Sequence, residues 1–554
     1  MKTNLSIFLF LSILVVLFHY FIALKYLDYG LHSDDWNHLV RYKTLVKEDF
    51  ISKMRIIWRD PDSGPHTTSQ ILYIGVLEQL FGLNYQIFNL INILSKVLAT
   101  LSVYPLVLLV FKRKLLAFLT TFFYAISYST VGTFHVIVKG TEYQAFFFMN
   151  IFLIIYYLLT KKRTLSIKWI LALIFFFLTA IVLTPPRLFP LTLLPLLIEF
   201  FLLIHKGASY NLKFGLKKLF FLYLPLILLF IYHPDAATNA FIVPIINLQK
   251  IAEGNWFLFL TPFSALGYMI LWGSHWAKLI GNISIDNFGN YLPLLFHNLF
   301  VFGLISTILA LILSKNKIRF IFLAVVLNFL LEILIFLLAT HHLKIPIENR
   351  LSLDPTTLYS IFVGIFVVVF SISCYIEWLA TDKKNGLLLA LWIGPSIALF
   401  FIFSVWLFAN ALAGYGPTHE YLTGPAIGIS LMTASLLVSF YDKLRSTQDA
   451  HLRNALTFCI ILLMIIPLYS IHKSRADEYL SGLVRIGSGS QQQIIQAQIR
   501  KHLKDPITKG DKLVFFDWTN DKVNAGFYSE AIYSSFTTWI HYYNGQIIDG
   551  CTFQ

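Results

Sequence analysis

The feature that most constrains this chain is its punctuation. Apolar runs of roughly 17 to 25 residues recur from end to end with polar breaks between them, each run long enough to cross a hydrocarbon core near 30 Å thick. They amount to about 13 spans. Charged residues make up only 13% of the 554 positions and mean hydropathy is +0.70, so lipid rather than water is the solvent for most of the chain. That excludes a soluble multidomain protein. A backbone in lipid must satisfy its own hydrogen bonds, so runs of this length fold as helices. The expected class is an all-α polytopic membrane protein.

The formal charge of +14 admits three explanations: a nucleic-acid partner, an anionic surface or a topology signal. The basic residues decide among them. Lys112 to Lys114, Lys161 to Arg163, Lys206 with Lys213, Lys217 and Lys218, Lys315 to Arg319, Lys383 with Lys384, and Lys443 to Arg453 all fall at alternate breaks. By the positive-inside rule these loops are cytoplasmic, the N-terminus is inside, the C-terminus is outside, and no nucleic-acid partner is implied. The first external loop, about residues 26–70, runs against the rule with Arg41, Lys43, Lys47, Lys53, Arg55 and Arg59, and is outvoted by the other six. The apolar stretch to about Leu24 has no small-residue cleavage site and is expected to stay as a first helix. Cys374, Cys459 and Cys551 offer neither a disulfide framework nor zinc spacing. From 472 to 554 the composition turns to Gln, Ser, Lys and Asp, and a small mixed α/β external domain is expected there, with a strand at Leu513 to Phe516; residues 1–471 form the membrane domain.

The first external loop carries the densest chemistry. Asp34 and Asp35 follow directly on the first span, in His32-Ser33-Asp34-Asp35-Trp36. Adjacent carboxylates repel, so a cation or hydrogen-bond donors must hold both ionised, or one keeps its proton. An ionised Asp can take a proton from an acceptor hydroxyl or, with its neighbour, hold a divalent metal. The plainer alternative is a helix cap by Ser33 or Asp34. Trp36, Leu39, Val40, Val46, Phe50, Met54 and Trp58 recur at helical spacing among basic residues, as in an amphipathic helix lying in the membrane interface rather than a packed soluble loop. A second interfacial segment is expected from Thr68 to Phe81, ahead of a second span that opens at Gly82-Leu83-Asn84.

This order of features resembles the GT-C superfamily of integral-membrane glycosyltransferases, most closely the branch holding protein O-mannosyltransferases and the lipid A aminoarabinose transferase. The resemblance covers the whole chain in architecture, and in motifs about residues 28–111 with a few later positions. It implies a GT-C-like bundle of about 13 helices with interfacial helices in the first loop, and transfer of a sugar from a polyprenyl-phosphate donor to a lipid, glycan or protein acceptor on the external face, with inversion. It also implies that Asp34 or Asp35 is the general base. The family's pair is often Asp-Glu, so the choice between them stays open. A Trp-Trp-Asp signature is absent, which argues against oligosaccharide transfer to asparagine.

A phosphate donor needs cations on the external side. Lys139, Arg187, Lys344 and Arg350 stand there, and Lys96 lies roughly three turns into the second span with Asn89, Asn92 and Ser95 nearby. Lys96, Arg187 and Arg350 are the donor-phosphate candidates, against interfacial snorkelling for Arg187 and pairing inside the bundle for Lys96. Glu142, the acid of the second external loop, either orients the acceptor, shares a metal, or pairs with Lys139. His135, His341 and His342 are weaker, since a lone histidine is usually a satisfied structural group and adjacent ones point apart. Two rivals remain. A flippase or transporter would explain Lys96 but usually shows paired repeats, which are not evident here. A polysaccharide polymerase or ligase would be expected to use a large late loop, for which His233 to Asn290 is long enough.

Overall fold

The structure is a computed structural model. It describes residues 2–23 and, with short interruptions, 27–127, 137–184, 189–232, 245–270, 288–342, 355–408 and 422–444, then scattered positions to 474. The expected C-terminal domain and its strand therefore lie outside the described residues. Among the described residues the protein is helical, with no strand. The chain runs α1 (Lys2–Ala23), α2 (Ser33–Thr44), α3 (Phe50–Arg59), α4 (Gly64–Phe81), α5 (Tyr85–Phe111) and α6 (Lys114–Ala125). A 3-10 turn, Ile137–Lys139, leads into α7 (Gly140–Lys162), α8 (Ile167–Leu183), α9 (Leu194–Lys206) and α10 (Leu212–Tyr232). Then come α11 (Thr261–Ile270), α12 (Phe288–Leu313), α13 (Lys317–His342), α14 (Pro355–Ala380), α15 (Gly386–Phe408) and α16 (Thr423–Leu444). Among the described residues six stretches, in α5, the 3-10 turn with α7, α13, α14, α15 and α16, are long and apolar enough to cross a membrane, and six shorter apolar helices accompany them.

Each span is sorted by the helical period into a lipid side and an inner side. In α1, Leu5, Leu9 and Ile13 are exposed, while Leu11, Val15 and His19 are buried. Leu90, Leu94 and Leu98 of α5 face out; Asn89, Asn92, Ser95 and Lys96 face in. The same division places Lys218 with Leu222 and Leu226 on the inner face of α10, and Asn328 and Glu332 with Ala324 and Ile335 on that of α13. Polar groups turn inward because hydrocarbon offers them no partner.

Small residues set the closest helix contacts. A Cβ on Gly267 of α11 would lie 1.8 Å from the Ser360 carbonyl oxygen, and one on Gly364 of α14 would lie 1.9 Å from that of Phe263. Ser264 and Ser360 share a hydrogen bond of 2.6 Å across this contact. Gly394 of α15 and Gly428 of α16 meet in the same backbone-to-backbone way. Without a hydrophobic drive inside lipid, such close approach is how helices gain dispersion energy.

The described basic breaks gather at one end of the bundle. Arg113 bonds Asp442 at 2.7 Å, joining the start of α6 to the end of α16. Arg319 reaches Glu377 at 3.3 Å, joining the start of α13 to the end of α14. Lys218 differs from its expected role as an anchoring charge: it is buried and bonds Glu199 at 2.6 Å and Thr160 at 2.7 Å, while Tyr156 and Tyr210 donate to the same carboxylate. Lys213 and Lys217 of the same helix are exposed, whereas position 218 falls in the inward register with Leu222 and Leu226.

Candidate functional site at the starts of α2 and α7

The first loop is a folded unit, and the single amphipathic helix expected from Trp36 to Trp58 is two. The break comes at Asp49, whose carboxylate accepts from the Ile51 and Ser52 N–H groups at 2.9 and 3.0 Å and from the Ser52 hydroxyl at 2.7 Å, capping α3. Those bonds from Ser52 hold Asp49 below its usual 3.8. The loop also has a small core of Tyr42, Ile57 and Ile71, which corrects the picture of an unpacked interfacial helix. Tyr42 packs on Gly75, donates to Gln79 at 2.8 Å and carries the Lys53 ammonium over its ring at 4.3 Å; burial, then the nearby Glu78, raises its hydroxyl's pKa. Lys43 pairs with Glu78 at 2.7 Å. Phe50, Ile51, Met54 and Ile56 of α3 remain exposed, the face expected to meet lipid.

On this platform α2 delivers the acidic pair. Both residues lie in its first turn, where the helix dipole favours negative charge. Asp35 is fully buried and accepts from the backbone N–H of Val138 at 2.9 Å and of Ile137 at 3.4 Å, in the 3-10 turn that precedes α7. So Asp35 ties the start of α2 to the turn ahead of α7. The side chain of Asp34 lies outside the described residues.

Three further ties assemble the same end. Tyr73 of α4 donates to Asn92 Oδ1 of α5 at 2.9 Å, and burial together with the Asp35 carboxylate raises the tyrosine's pKa, so it stays a donor. Gly140, the first residue of α7, lies against this pair: a Cβ there would stand 1.9 Å from Asn92 Oδ1 and 2.9 Å from the Tyr73 hydroxyl. Asn89 donates to the Leu27 carbonyl at 3.0 Å and the Tyr85 carbonyl at 2.9 Å, and Asn84 caps α5 by accepting from the Ile87 N–H, which bears out a second span opening at Gly82-Leu83-Asn84. Ser69 of α4 donates to the Leu183 carbonyl at the end of α8, at 2.6 Å.

Deeper along α5 lies Lys96, buried, with the Tyr143 ring 5.8 Å from its ammonium. Gln144 donates to Ser95 at 3.3 Å, so α5 and α7 face each other through polar groups at this level. The charge of Lys96 is also felt by His19 of α1 and by His472. Both imidazoles hold Nδ1 at a carbonyl, His19 at Val15 (2.7 Å) and His472 at Ile126 (3.1 Å), which assigns the proton to Nδ1. Glu142 is fully buried in the first turn of α7.

Of the expected site residues, Asp35 is tied to the turn that leads into α7, Glu142 is buried in the first turn of α7, and Lys96 lies about three turns into α5 beside Tyr143 of α7. Arg187 and Arg350 lie outside the described residues, as do His135 and Lys344. Among the described residues no group of three or more His, Cys, Asp and Glu side chains is placed to hold a metal. Tyr73, His19 and His472 were not singled out from the sequence. The inward register of His19, four residues beyond Val15, was the available signal for one of them. No protein-family model matches the chain, and no curated protein matches it.

Proposed function

We propose that the chain is a GT-C-like membrane glycosyltransferase that moves a sugar from a polyprenyl phosphate to an acceptor on the external face of the cell membrane. With it go the finer features of that architecture: about 13 spans, a cytoplasmic N-terminus, and an external C-terminus with a small α/β domain from 472 to 554. The observation that carries the proposal is the burial of Asp35 at the start of α2, tied across to Val138, above a buried cation on the inner face of α5. An acid from the first loop and a cation within a span are what a lipid-phosphate leaving group requires on one side of the membrane. In the proposed step, Asp34 or Asp35 takes the proton of the acceptor hydroxyl as its oxygen bonds to the anomeric carbon. The bond from that carbon to the phosphate oxygen breaks, and the electron pair leaves with the phosphate. Lys96, with Arg187 and Arg350, meets the developing charge, and Glu142 orients the acceptor. A divalent metal at Asp34 and Asp35 remains part of the family's repertoire and is not needed for this step.

The test is purified protein in liposomes given a labelled polyprenyl-phosphate sugar, with Asp34→Asn and Asp35→Asn compared with the parent. Loss of the base is expected to slow sugar transfer by about 10²- to 10⁴-fold. If both variants transfer sugar like the parent, the base assignment fails. If the lipid crosses the bilayer with its glycosidic bond intact, the protein is a flippase instead.

A further inference from the structure

Three buried glutamates of this protein pair with cations. Glu78 has Lys43 at 2.7 Å, Glu199 has Lys218 at 2.6 Å and Glu377 has Arg319 at 3.3 Å. Glu332, fully buried near the middle of α13, is different: among the described residues no cation bonds it. Its one hydrogen bond there is to Asn328, one turn earlier, whose amide donates to Oε1 at 2.7 Å. Glu332 Oε2 and Asn328 Oδ1 are both buried with no hydrogen-bond partner among the described residues.

We propose that Glu332 and Asn328 form a proton-binding site inside the bundle, in which the carboxyl is held as a neutral acid. An ionised carboxylate in an apolar interior loses several kcal/mol of hydration and recovers it only from a cation or from donors at both oxygens. Among the described residues Oε1 has a donor and Oε2 has none. A proton on Oε2 removes the charge and leaves Oε1 to accept from Asn328. The titratable group facing the pair from a neighbouring element is Tyr359 of α14, itself buried. The 3-10 turn Trp256–Leu260 and the described side chains of α12 contain no titratable group. The site shares no residue with the outer cluster and stands independently of the proposed sugar transfer. Its proton can leave only when water or a cation reaches Oε2, so a movement of α13 that wets Glu332 releases a proton.

A neutral acid in an apolar setting has a diagnostic chemistry with apolar carbodiimides. The acid's proton passes to one carbodiimide nitrogen, and the carboxylate oxygen bonds to the central carbon. The acyl group then shifts to nitrogen, giving an N-acylurea that has gained one whole reagent molecule with no leaving group. The experiment treats the full-length protein in liposomes at pH 7 with dicyclohexylcarbodiimide, or with a water-soluble cationic carbodiimide, and maps the added mass by peptide fragmentation. Glu332 is expected to carry the apolar reagent in excess of the cationic one by about tenfold or more. Glu332→Gln removes that mass and Asn328→Leu keeps it. Mapping Glu332 in the parent protein needs no variant to fold. Absence of the apolar adduct at Glu332, or equal modification by both reagents, overturns the proposal.

Discussion

Replacing Gly140 with alanine tests how the junction of α4, α5 and α7 is assembled, without presupposing any activity. The added Cβ would stand 1.9 Å from Asn92 Oδ1, where ordinary contact begins at 3.4 Å. The oxygen must therefore retreat by about 1.5 Å, more than the tolerance of a hydrogen bond. The bond it gives up is the 2.9 Å one from Tyr73, which joins α4 to α5. Leaving those polar groups poorly paired costs about 1–3 kcal/mol, and residual overpacking about 1–3 kcal/mol more. Gly140→Ala should thus destabilise by roughly 2–6 kcal/mol. Asn92→Ala removes both the bond and the nearer obstruction and frees the Tyr73 hydroxyl, at 2.9 Å, to shift, so adding Gly140→Ala to it should cost under about 1 kcal/mol. Buried Cys374 supplies the assay: in protein whose exposed Cys459 and whose Cys551 are serine, a maleimide dye reads unfolding against temperature or denaturant. If the two single changes add to within about 0.5 kcal/mol in the double variant, the steric account of this junction is wrong.

Two other outcomes follow from the described contacts. Lys218→Met strands the Glu199 carboxylate among Tyr156 and Tyr210 and should destabilise by about 3–5 kcal/mol, whereas Lys218→Met with Glu199→Leu should recover most of that loss; an unfolding series with no recovery would count against a buried pair. Asp49, with its folded pKa depressed below 3.8, stabilises the α3 cap above that value and loses this contribution as pH falls through the folded pKa. Ser52→Ala should raise the Asp49 titration seen by carboxyl NMR, and an unchanged titration would show that the hydroxyl bond is not its cause.

The membrane class was legible because apolar length is a one-dimensional quantity, visible without knowing any partner. The gathering of basic breaks at one end was legible for a related reason, since alternate loops of a serpentine chain must share an end. The opening of α5 after Asn84 showed too, because a cap is local. What escaped depends on rotation about a helix axis or on contacts distant in sequence. Lys218 looked like one more anchoring charge until its phase relative to Leu222 and Leu226 put it inside. Glu332 needed the same phase argument. The kink that separates α2 from α3 hides in a hydrophobic pattern that continues across it, and only the Asp49-x-x-Ser52 bonding reveals it. Tyr73 lies 19 residues from Asn92, and nothing in either segment announces the other.

The bond from Val138 to Asp35 spans 103 residues of chain, and that has a consequence for biosynthesis. When α1 and α2 emerge, the partner that will bury Asp35 has not yet been translated. The carboxylate must stay hydrated while α5 and α6 are inserted, and it can be withdrawn from water only once the turn ahead of α7 arrives. Completion of the site is thus a late event in the making of an early loop. A nascent chain arrested before Ile137 should present Asp35 to solvent, whatever the state of the helices already in the bilayer.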